Sequence, residues 1–160
     1  MNDVDEALLS EARAAALTAY APYSGFRVGA AVRVGEKIHL GCNIENASYG
    51  LTICAERVAI FSAIAAGARE IDAIAIACID AAPGDGPNGL MPCGACRQVM
   101  AEFSGPDLPV HIDRAGCLTL ADLLPHPFRM SSRHGPARPG HPSKHRAAPG
   151  GPEEPGHDAV

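Results

Sequence analysis

The sequence contains no tryptophan and few aromatic residues of any kind. Aromatic side chains make up 4% of its 160 residues, so a folded core has to be built mainly from alanine, isoleucine, leucine and valine. No apolar run approaches the roughly 20 residues that a membrane-spanning helix needs. The first six residues are acidic and lack the basic and apolar regions of a secretory signal. These absences argue against a membrane protein and against an exported one.

An excess of basic residues is also missing. The formal net charge is −5, and residues 1–130 carry 9 of the 13 Lys and Arg residues but 15 of the 18 Asp and Glu residues. Proteins that follow a nucleic-acid backbone usually present a basic face. The charge therefore favours a small or neutral ligand, with no nucleic acid as partner.

The six cysteines do not form the pattern of a disulfide framework. Without an export signal, they are typical of free thiols in a reducing compartment. We expect a cytoplasmic protein.

Composition changes sharply near residue 130. Residues 131–160 hold six Pro, five Gly and four His, and such a segment cannot bury enough apolar area to offset its ordering entropy. We expect a folded domain over residues 1–130 and a disordered tail over residues 131–160. The tail histidines have irregular, Pro- and Gly-broken spacing, which favours a solvated tail over a metal site; they are His134, His141, His145 and His157.

The pattern of apolar residues over 1–130 predicts alternating helices and strands. An initial helix starts with a capping-box spacing at Asp3 and Glu6 and is ended by Pro22 and Gly25. The later elements are strands at 26–34 and 37–44 around a Gly35-Glu36 turn, a helix at 54–66 stopped by Gly67, a strand at 71–79, a loop at 84–88, a helix from 92–93 to 103, a strand at 108–113 and a short helix at 119–124 capped by Thr119. This order predicts an α/β protein, a three-layer α/β/α sandwich with a mixed central sheet.

A C-x-x-C pair, Cys93 and Cys96, is the first candidate for chemistry. A redox pair, a structural zinc site and a catalytic metal site all use this spacing. A structural four-cysteine site would want a second such pair, and the other cysteines are all single. Cys54 is the best third ligand because, like the pair, it falls at a predicted helix start, where amides and the helix dipole stabilise a thiolate. Three ligands leave the fourth zinc position open to water, which is the catalytic arrangement.

Glu56 follows Cys54 by two residues. Residues two apart do not share a face inside a helix, so this pair can converge only where a helix begins. There Glu56 can reach water at the metal and act as a proton shuttle without ligating the metal. Arg57 is placed to hydrogen-bond the ligand sulfurs and to offset the negative charge of three thiolates.

Two blander interpretations of the three cysteines stay open at this point. In the first, all three are ordinary buried thiols, since cysteine is among the most buried residue types. In the second, Cys93 and Cys96 form a redox pair and Cys54 has no part in it. A redox pair is disfavoured because no thioredoxin-like order of elements surrounds it. For Cys42, Cys78 and Cys117, packing is the favoured explanation.

Several ordered motifs together resemble the zinc deaminases of nucleosides and nucleobases, a class with a three-cysteine site and a non-ligating glutamate. Five segments narrow the resemblance and together span nearly all of residues 1–130: Pro22-Tyr-Ser-Gly-Phe-Arg-Val-Gly-Ala-Ala31, Gly41-Cys-Asn-Ile-Glu-Asn-Ala-Ser-Tyr-Gly50, Cys54-Ala-Glu-Arg57, Pro92-Cys-Gly-Ala-Cys-Arg-Gln98 and Leu123-Leu-Pro-His-Pro-Phe128. With these segments the sequence resembles the small homotetrameric cytidine deaminases of nucleoside salvage.

The resemblance implies one Zn²⁺ per subunit and a nucleoside substrate. Asn43 and Glu45 would hydrogen-bond ribose hydroxyls, although a solvated turn is about as good an explanation from the residues alone. Phe26 would stack on the pyrimidine, although an aromatic residue that opens a strand more often belongs to the core. Substrate contacts are also implied for Ala55 in the same chain and for Ala47, Tyr49 and Phe128 from neighbouring subunits.

The reaction implied by the resemblance is hydrolytic deamination of cytidine and 2′-deoxycytidine to uridine and 2′-deoxyuridine plus ammonia, with Glu56 moving the protons. Alternatives are a deaminase of cytosine in a polynucleotide, which would need a cationic channel, a deaminase of nucleoside-like antibiotics, and a non-catalytic zinc-stabilised interaction domain. The last has no use for Glu56.

Overall fold

The computed structural model describes residues 3–82, 84 and 86–130. Of these, residues 3–128 form one compact unit, and residues 129 and 130 fall outside it. The predicted tail, residues 131–160, and its histidines lie outside the described residues, as does the side-chain cap predicted at Asp3. Within the described part, no helix combines the length and the apolar character needed to cross a bilayer.

Five strands form one mixed sheet, whereas the sequence predicts a mixed sheet of four strands. The elements are α1 (Asp3–Ala16), β1 (Val28–Val34), β2 (Lys37–Cys42), α2 (Ala55–Ala65), β3 (Ala73–Cys78), α3 (Gly94–Glu102), β4 (Pro109–Ile112), β5 (Gly116–Thr119) and α4 (Leu120–Leu123), with 3₁₀ turns at Tyr49–Leu51 and Pro87–Leu90. The strand order is β2-β1-β3-β4-β5. Only β3 and β4 pair in parallel, and the other neighbours are antiparallel.

The two faces of the sheet carry side chains of different size. Successive strand residues point to opposite faces, and β3 alternates Ala with Ile or Cys while remaining buried throughout. Its three alanines, at 73, 75 and 77, join Leu8, Leu9 and Ala12 of α1 in one apolar cluster. Ile74 and Ile76 join residues of α2, α3 and α4 in a larger one. The three-layer arrangement thus follows from the alternation along the strands.

The β1–β2 hairpin has the predicted two-residue turn. Val34 is paired with Lys37, which leaves Gly35 and Glu36 as the loop. Gly35 has φ +57, a left-handed conformation that glycine adopts without steric cost.

Helix α1 ends earlier than the sequence predicts. The prediction placed its end at Pro22 and Gly25, but the last helical residue is Ala16. The amides of residues 17–19 bond to carbonyls three residues back and close a tight turn. The backbone of Tyr20 then pairs with the amide of Glu45 and the carbonyl of Asn43. This long-range pairing outweighs the helical spacing of Ala19 and Tyr20, and it ties the start of the chain to the segment after β2.

The edge strand β5 is missing from the predicted order. The chain reverses after β4 through Arg114, with φ 64, and Gly116, with φ 98. The Arg114 guanidinium donates to the carbonyls of Cys78 and Ala81 and fixes this reversal to the end of β3. A second correction concerns the predicted loop at 84–88, because a 3₁₀ turn begins at Pro87.

Gly41 allows α2 to lie directly on the sheet. A Cβ atom built at this position would lie 2.3 Å from the amide nitrogen of Ala59 and 2.5 Å from the carbonyl oxygen of Ala55. Both are backbone atoms of α2, so no side-chain rotation can relieve the overlap. The helix that carries Glu56 is therefore positioned by the absence of a side chain on β2.

Gly41→Ala is expected to destabilise the fold by about 3 kcal/mol, because α2 has to move away from the sheet. Gly105→Ala is the matched control, since a Cβ there has no atom within 4 Å, and we expect a change of at most about 0.5 kcal/mol. Urea unfolding of both variants checks this. Equal stabilities would contradict the close helix–sheet contact.

Candidate metal centre and active site

Two of the three candidate metal ligands sit at helix N-caps. Cys54 precedes α2 and Cys93 precedes α3, both with extended backbone angles. Cys96 lies in the first turn of α3 and is fully buried. Extended backbone at an N-cap turns the side chain across the helix start, where free amides and the positive end of the helix dipole favour a thiolate. The prediction that all three thiols lie at helix starts is confirmed.

The three sulfurs have a spacing that suits zinc. The Sγ atoms of Cys93 and Cys96 are 3.4 Å apart, and those of Cys54 and Cys93 are 3.9 Å apart. All three lie within 4.8 Å of one another. Tetrahedral zinc with Zn–S bonds of about 2.3 Å places its sulfurs about 3.8 Å apart. Among the described residues this is the one cluster of three or more His, Cys, Asp or Glu side chains that could hold a metal ion.

All six cysteines are free thiols. Cys78 is buried and Cys42 half-buried, but Cys117 is exposed. The packing role expected for Cys117 is therefore wrong, because β5 is the edge of the sheet.

Arg57 and the neighbouring thiols favour negative charge on Cys54. The hydrogen bond from the Cys96 thiol and the Arg57 guanidinium lower the pKa of Cys54 to about 5. The same contact and burial raise the pKa of Cys96, so the first negative charge settles on Cys54. Nη2 of Arg57 lies 3.6 Å from Cys54 Sγ and donates at 3.3 Å to the Thr52 carbonyl. The Arg57 guanidinium thus contacts a ligand sulfur directly.

Glu56 is a carboxylic acid placed inside the protein. It is the second residue of α2 and is 4% exposed. Burial raises its pKa, and negative charge on Cys54 adds to the effect, while its own backbone amide and the Cys96 thiol act in the opposite sense. The helix start thus brings the glutamate beside the cysteines without requiring it as a ligand. A carboxyl group with a raised pKa is suited to exchanging a proton near neutral pH.

Asn43 and Phe26 are joined through the backbone. The Asn43 side chain accepts from the Val28 amide and donates to the Phe26 carbonyl, both at 2.8 Å. Asn43 is 9% exposed, and these contacts explain why a polar residue is tolerated there. Phe26 is half-buried and packs against the larger apolar cluster. Asn43 therefore organises the start of β1 whatever else it binds.

Glu45 lines a small open pocket. Its carboxylate accepts from the backbone amides of Tyr23 and Ser24 and from the Ser24 hydroxyl. These donors lower its pKa, the Ser24 hydroxyl most strongly. The pocket has a volume of about 290 Å³ and is lined by Tyr23, Ser24, Glu45, Tyr49 and Thr52. Because the Thr52 carbonyl also accepts from Arg57, this pocket adjoins the residues that surround the cysteines.

The remaining predicted contact residues fall into two groups. Ala55 is fully buried, so its backbone is what a ligand could reach. Tyr49 and Phe128 are 78% and 74% exposed, and Ala47 is exposed as well. Tyr49 lines the Glu45 pocket of its own chain and contacts Tyr23 edge to face, with ring centroids 6.3 Å apart.

Sequence reasoning missed two residues that hold these parts in place. Gln98 donates to the Phe128 carbonyl at 2.9 Å and accepts from the Phe128 amide at 3.0 Å. Ser24 bonds both Glu45 and the Phe26 amide. Both lie within the motifs that carry the family resemblance, but their partners are 30 and 21 residues distant along the chain. No local spacing could have identified them.

Three cysteines that suit zinc, beside a buried glutamate on a mixed sheet, have the composition of a zinc deaminase site. The family model described as "Cytidine and deoxycytidylate deaminase zinc-binding region" matches residues 2–112. The chain belongs to this family.

Proteins named cytidine deaminase are similar in sequence to most of the chain. A curated cytidine deaminase of Sporosarcina psychrophila is 44% identical over 128 residues, which cover 77% of this chain and 90% of that protein. One from Mycobacterium tuberculosis is 45% identical over 136 residues, covering 81% and 94%. The crystal structure of cytidine deaminase from Burkholderia pseudomallei matches with a TM-score of 0.69 and 46% identity, and covers 80% of this chain and all of the other.

Proposed function

We propose that the protein is a zinc-dependent cytidine deaminase of pyrimidine salvage. It hydrolyses cytidine and 2′-deoxycytidine to uridine and 2′-deoxyuridine and releases ammonia. The observation that carries this proposal is the buried carboxyl group of Glu56 beside the three-cysteine cluster. The relatives of similar length that are named cytidine deaminase support the choice of substrate.

Glu56 carries protons in this proposal. Zinc would be held by Cys54, Cys93 and Cys96, where it would supply a Lewis acid that acidifies water and stabilises the negative charge on the oxygen that adds to C4 of the base. The Glu56 carboxylate accepts the first proton of the attacking water and passes it to N3; it then accepts the second proton, from the hydroxyl now on C4, and passes it to the departing amine. Its raised pKa brings the carboxyl group closer to the pH at which both acceptance and donation are efficient.

Arg57 acts through Cys54 rather than on the substrate. Three thiolates give zinc a net negative set of ligands, which weakens its effect on water. The guanidinium, 3.6 Å from Cys54 Sγ, offsets part of this charge and orients the sulfur.

The pocket beside Glu45 holds the sugar, Asn43 hydrogen-bonds a ribose hydroxyl, and Phe26 stacks on the base. Among its five described lining residues there is one carboxylate and no Lys or Arg. A phosphate would be repelled there, so a neutral nucleoside fits better than a nucleotide. The same charge disfavours a polynucleotide.

Cytidine turnover is the direct test of this function. Purified protein is expected to convert cytidine to uridine, followed by the loss of ultraviolet absorbance, and to release one ammonia per uridine. A cytosine-containing oligonucleotide is the comparison substrate and is expected to remain unchanged. Turnover of the oligonucleotide alone would overturn the proposal.

The proposed active form is a homotetramer in the cytoplasm, with each site shared between subunits. Free thiols at all six cysteines suit a reducing compartment. Large apolar side chains are exposed in numbers that an assembly would cover: Leu17, Tyr20, Tyr23, Ile38, Leu40, Ile44, Tyr49, Leu51, Phe61 and Phe128. Phe128 projects from a segment fixed by Gln98, which suits a side chain that completes a neighbour's site, as is proposed also for Ala47 and Tyr49.

Mixed assemblies of two impaired variants test this sharing. Phe128→Ala is expected to lose about tenfold in kcat/KM, and Glu56→Gln to lose nearly all activity. Co-expressed, the two variants form sites that combine Glu56 of one chain with Phe128 of another. Activity of the doubly tagged hybrid above the average of the two parents supports shared sites. Activity equal to that average would show that Phe128 serves its own chain.

A further inference from the structure

The Ser24 hydroxyl lies between two residues with proposed roles in substrate binding. It donates to Oε1 of Glu45 and accepts from the Phe26 amide at 3.0 Å. A hydroxyl group has one donor and two acceptor sites, so it can make both bonds at once. Ser24 thus connects the proposed sugar reader to the backbone of the proposed base-stacking residue. Ser24 itself is exposed and lines the pocket.

The two oxygens of Glu45 are used unequally. Oε2 accepts from the Tyr23 amide at 2.8 Å and from the Ser24 amide at 3.2 Å, while Oε1 has the Ser24 hydroxyl as its one donor among the described residues. An ionised carboxylate offers about four acceptor sites, two on each oxygen. Both acceptor sites of Oε2 are therefore occupied, Oε1 retains one, and Glu45 lines the pocket. The donors lower the pKa of Glu45 and keep it an acceptor.

We propose that Ser24 is a positioning residue that fixes Glu45 to accept one hydroxyl, 2′ or 3′, of the nucleoside sugar. The inference rests on the proposed function, because it assigns Glu45 to the sugar. The Ser24 amide and the Tyr23 amide hold Oε2 in place, and the Ser24 hydroxyl prevents rotation of Oε1 away from the pocket. The second hydrogen bond of the Ser24 hydroxyl, from the Phe26 amide, fixes the position of Glu45 relative to the Phe26 ring that contacts the base.

Removal of the hydroxyl changes recognition more than chemistry. In Ser24→Ala, Glu45 keeps its two amide donors, but Oε1 loses its restraint and becomes free to bind water instead of the sugar. Glu56 and the cysteines are not touched by this change. The decrease in kcat/KM should therefore come from a higher KM rather than a lower kcat. It should occur only for substrates that carry the hydroxyl group that binds Glu45.

The test compares substrates that differ in their ring hydroxyls. Cytidine, 2′-deoxycytidine, 3′-deoxycytidine and 2′,3′-dideoxycytidine are assayed with the wild type, Ser24→Ala and Ser24→Thr. Ser10→Ala is the matched control, because Ser10 is an exposed serine of α1 that does not line the pocket. Thermal unfolding of each variant shows that the fold is retained.

Ser24→Ala is expected to lower kcat/KM for cytidine about tenfold, the loss of a charge-assisted hydrogen bond, and to leave 2′,3′-dideoxycytidine nearly unchanged. Ser24→Thr is expected to keep the wild-type preference for cytidine over 2′,3′-dideoxycytidine, and Ser10→Ala is expected to leave that preference unchanged. An unchanged ratio of cytidine to dideoxycytidine in Ser24→Ala, or an equal loss on every substrate, overturns the positioning role. Failure of the wild type to deaminate any nucleoside would instead refute the proposed function.

Discussion

Glu56→Gln is expected to reduce cytidine turnover by about 10³-fold or more while zinc stays bound. Glutamine preserves the shape of the side chain but cannot accept and return a proton, and a positioned acid–base group typically contributes 10²–10⁴-fold. Because Glu56 occupies the second position of α2, and the N-cap residue Cys54 is the ligand, the metal set is untouched. Steady-state rates measure the loss of turnover, and elemental analysis of the same sample measures whether zinc stays bound.

Glu70→Gln serves as the control for a change of one carboxylate, since Glu70 is exposed and outside α2. It is expected to retain wild-type turnover. Two results would contradict the account of Glu56. Retained activity in Glu56→Gln would exclude it as the proton carrier, and loss of zinc from that variant would make it a ligand.

Cys93→Ala is expected to abolish both zinc binding and turnover. Two sulfurs remain, which is too few for a stable protein zinc site. Because a bound metal stabilises the folded state by mass action, the wild type is also expected to unfold at a higher temperature than the variant. Cys93 is exposed, so its replacement leaves no buried cavity. A lower unfolding temperature of the variant would therefore result from the loss of bound zinc and not from lost packing.

Cys117→Ala is the matched control, because Cys117 is an equally exposed free thiol on β5 outside the cluster. It is expected to keep zinc, turnover and thermal stability. If Cys93→Ala bound zinc as the wild type does, the three-sulfur site would be wrong. If Cys117→Ala lost zinc, the assignment of the ligands would be wrong as well.

The metal site could be predicted because its residues are set by local sequence. Cys54 and Glu56 occupy one helix start, and Cys93 and Cys96 occupy another. N-cap position and helical spacing decide where such side chains point. The nearly continuous apolar run that contains β3 likewise predicts a strand buried on both faces, and all six residues of β3 are buried. In each of these cases a few residues that are close in sequence determine the local structure.

Features that depend on distant partners were not predictable. Helix α1 stops at Ala16 because Tyr20 pairs with the segment after β2, and β5 forms because β4 offers it an edge. Gly41 gives no sign in the sequence that α2 lies against it. The contacts of Ser24 and Gln98 likewise require the folded chain. Sugar and subunit contacts are for the same reason the least derivable part of the site.

Measuring zinc in active protein shows whether turnover depends on the three-cysteine metal site. We expect one zinc ion per chain in the wild type, loss of cytidine turnover when a chelator removes it, and recovery of turnover on return of zinc alone. Active protein that contains no transition metal, or that keeps its full rate after complete removal of the metal, would contradict this dependence.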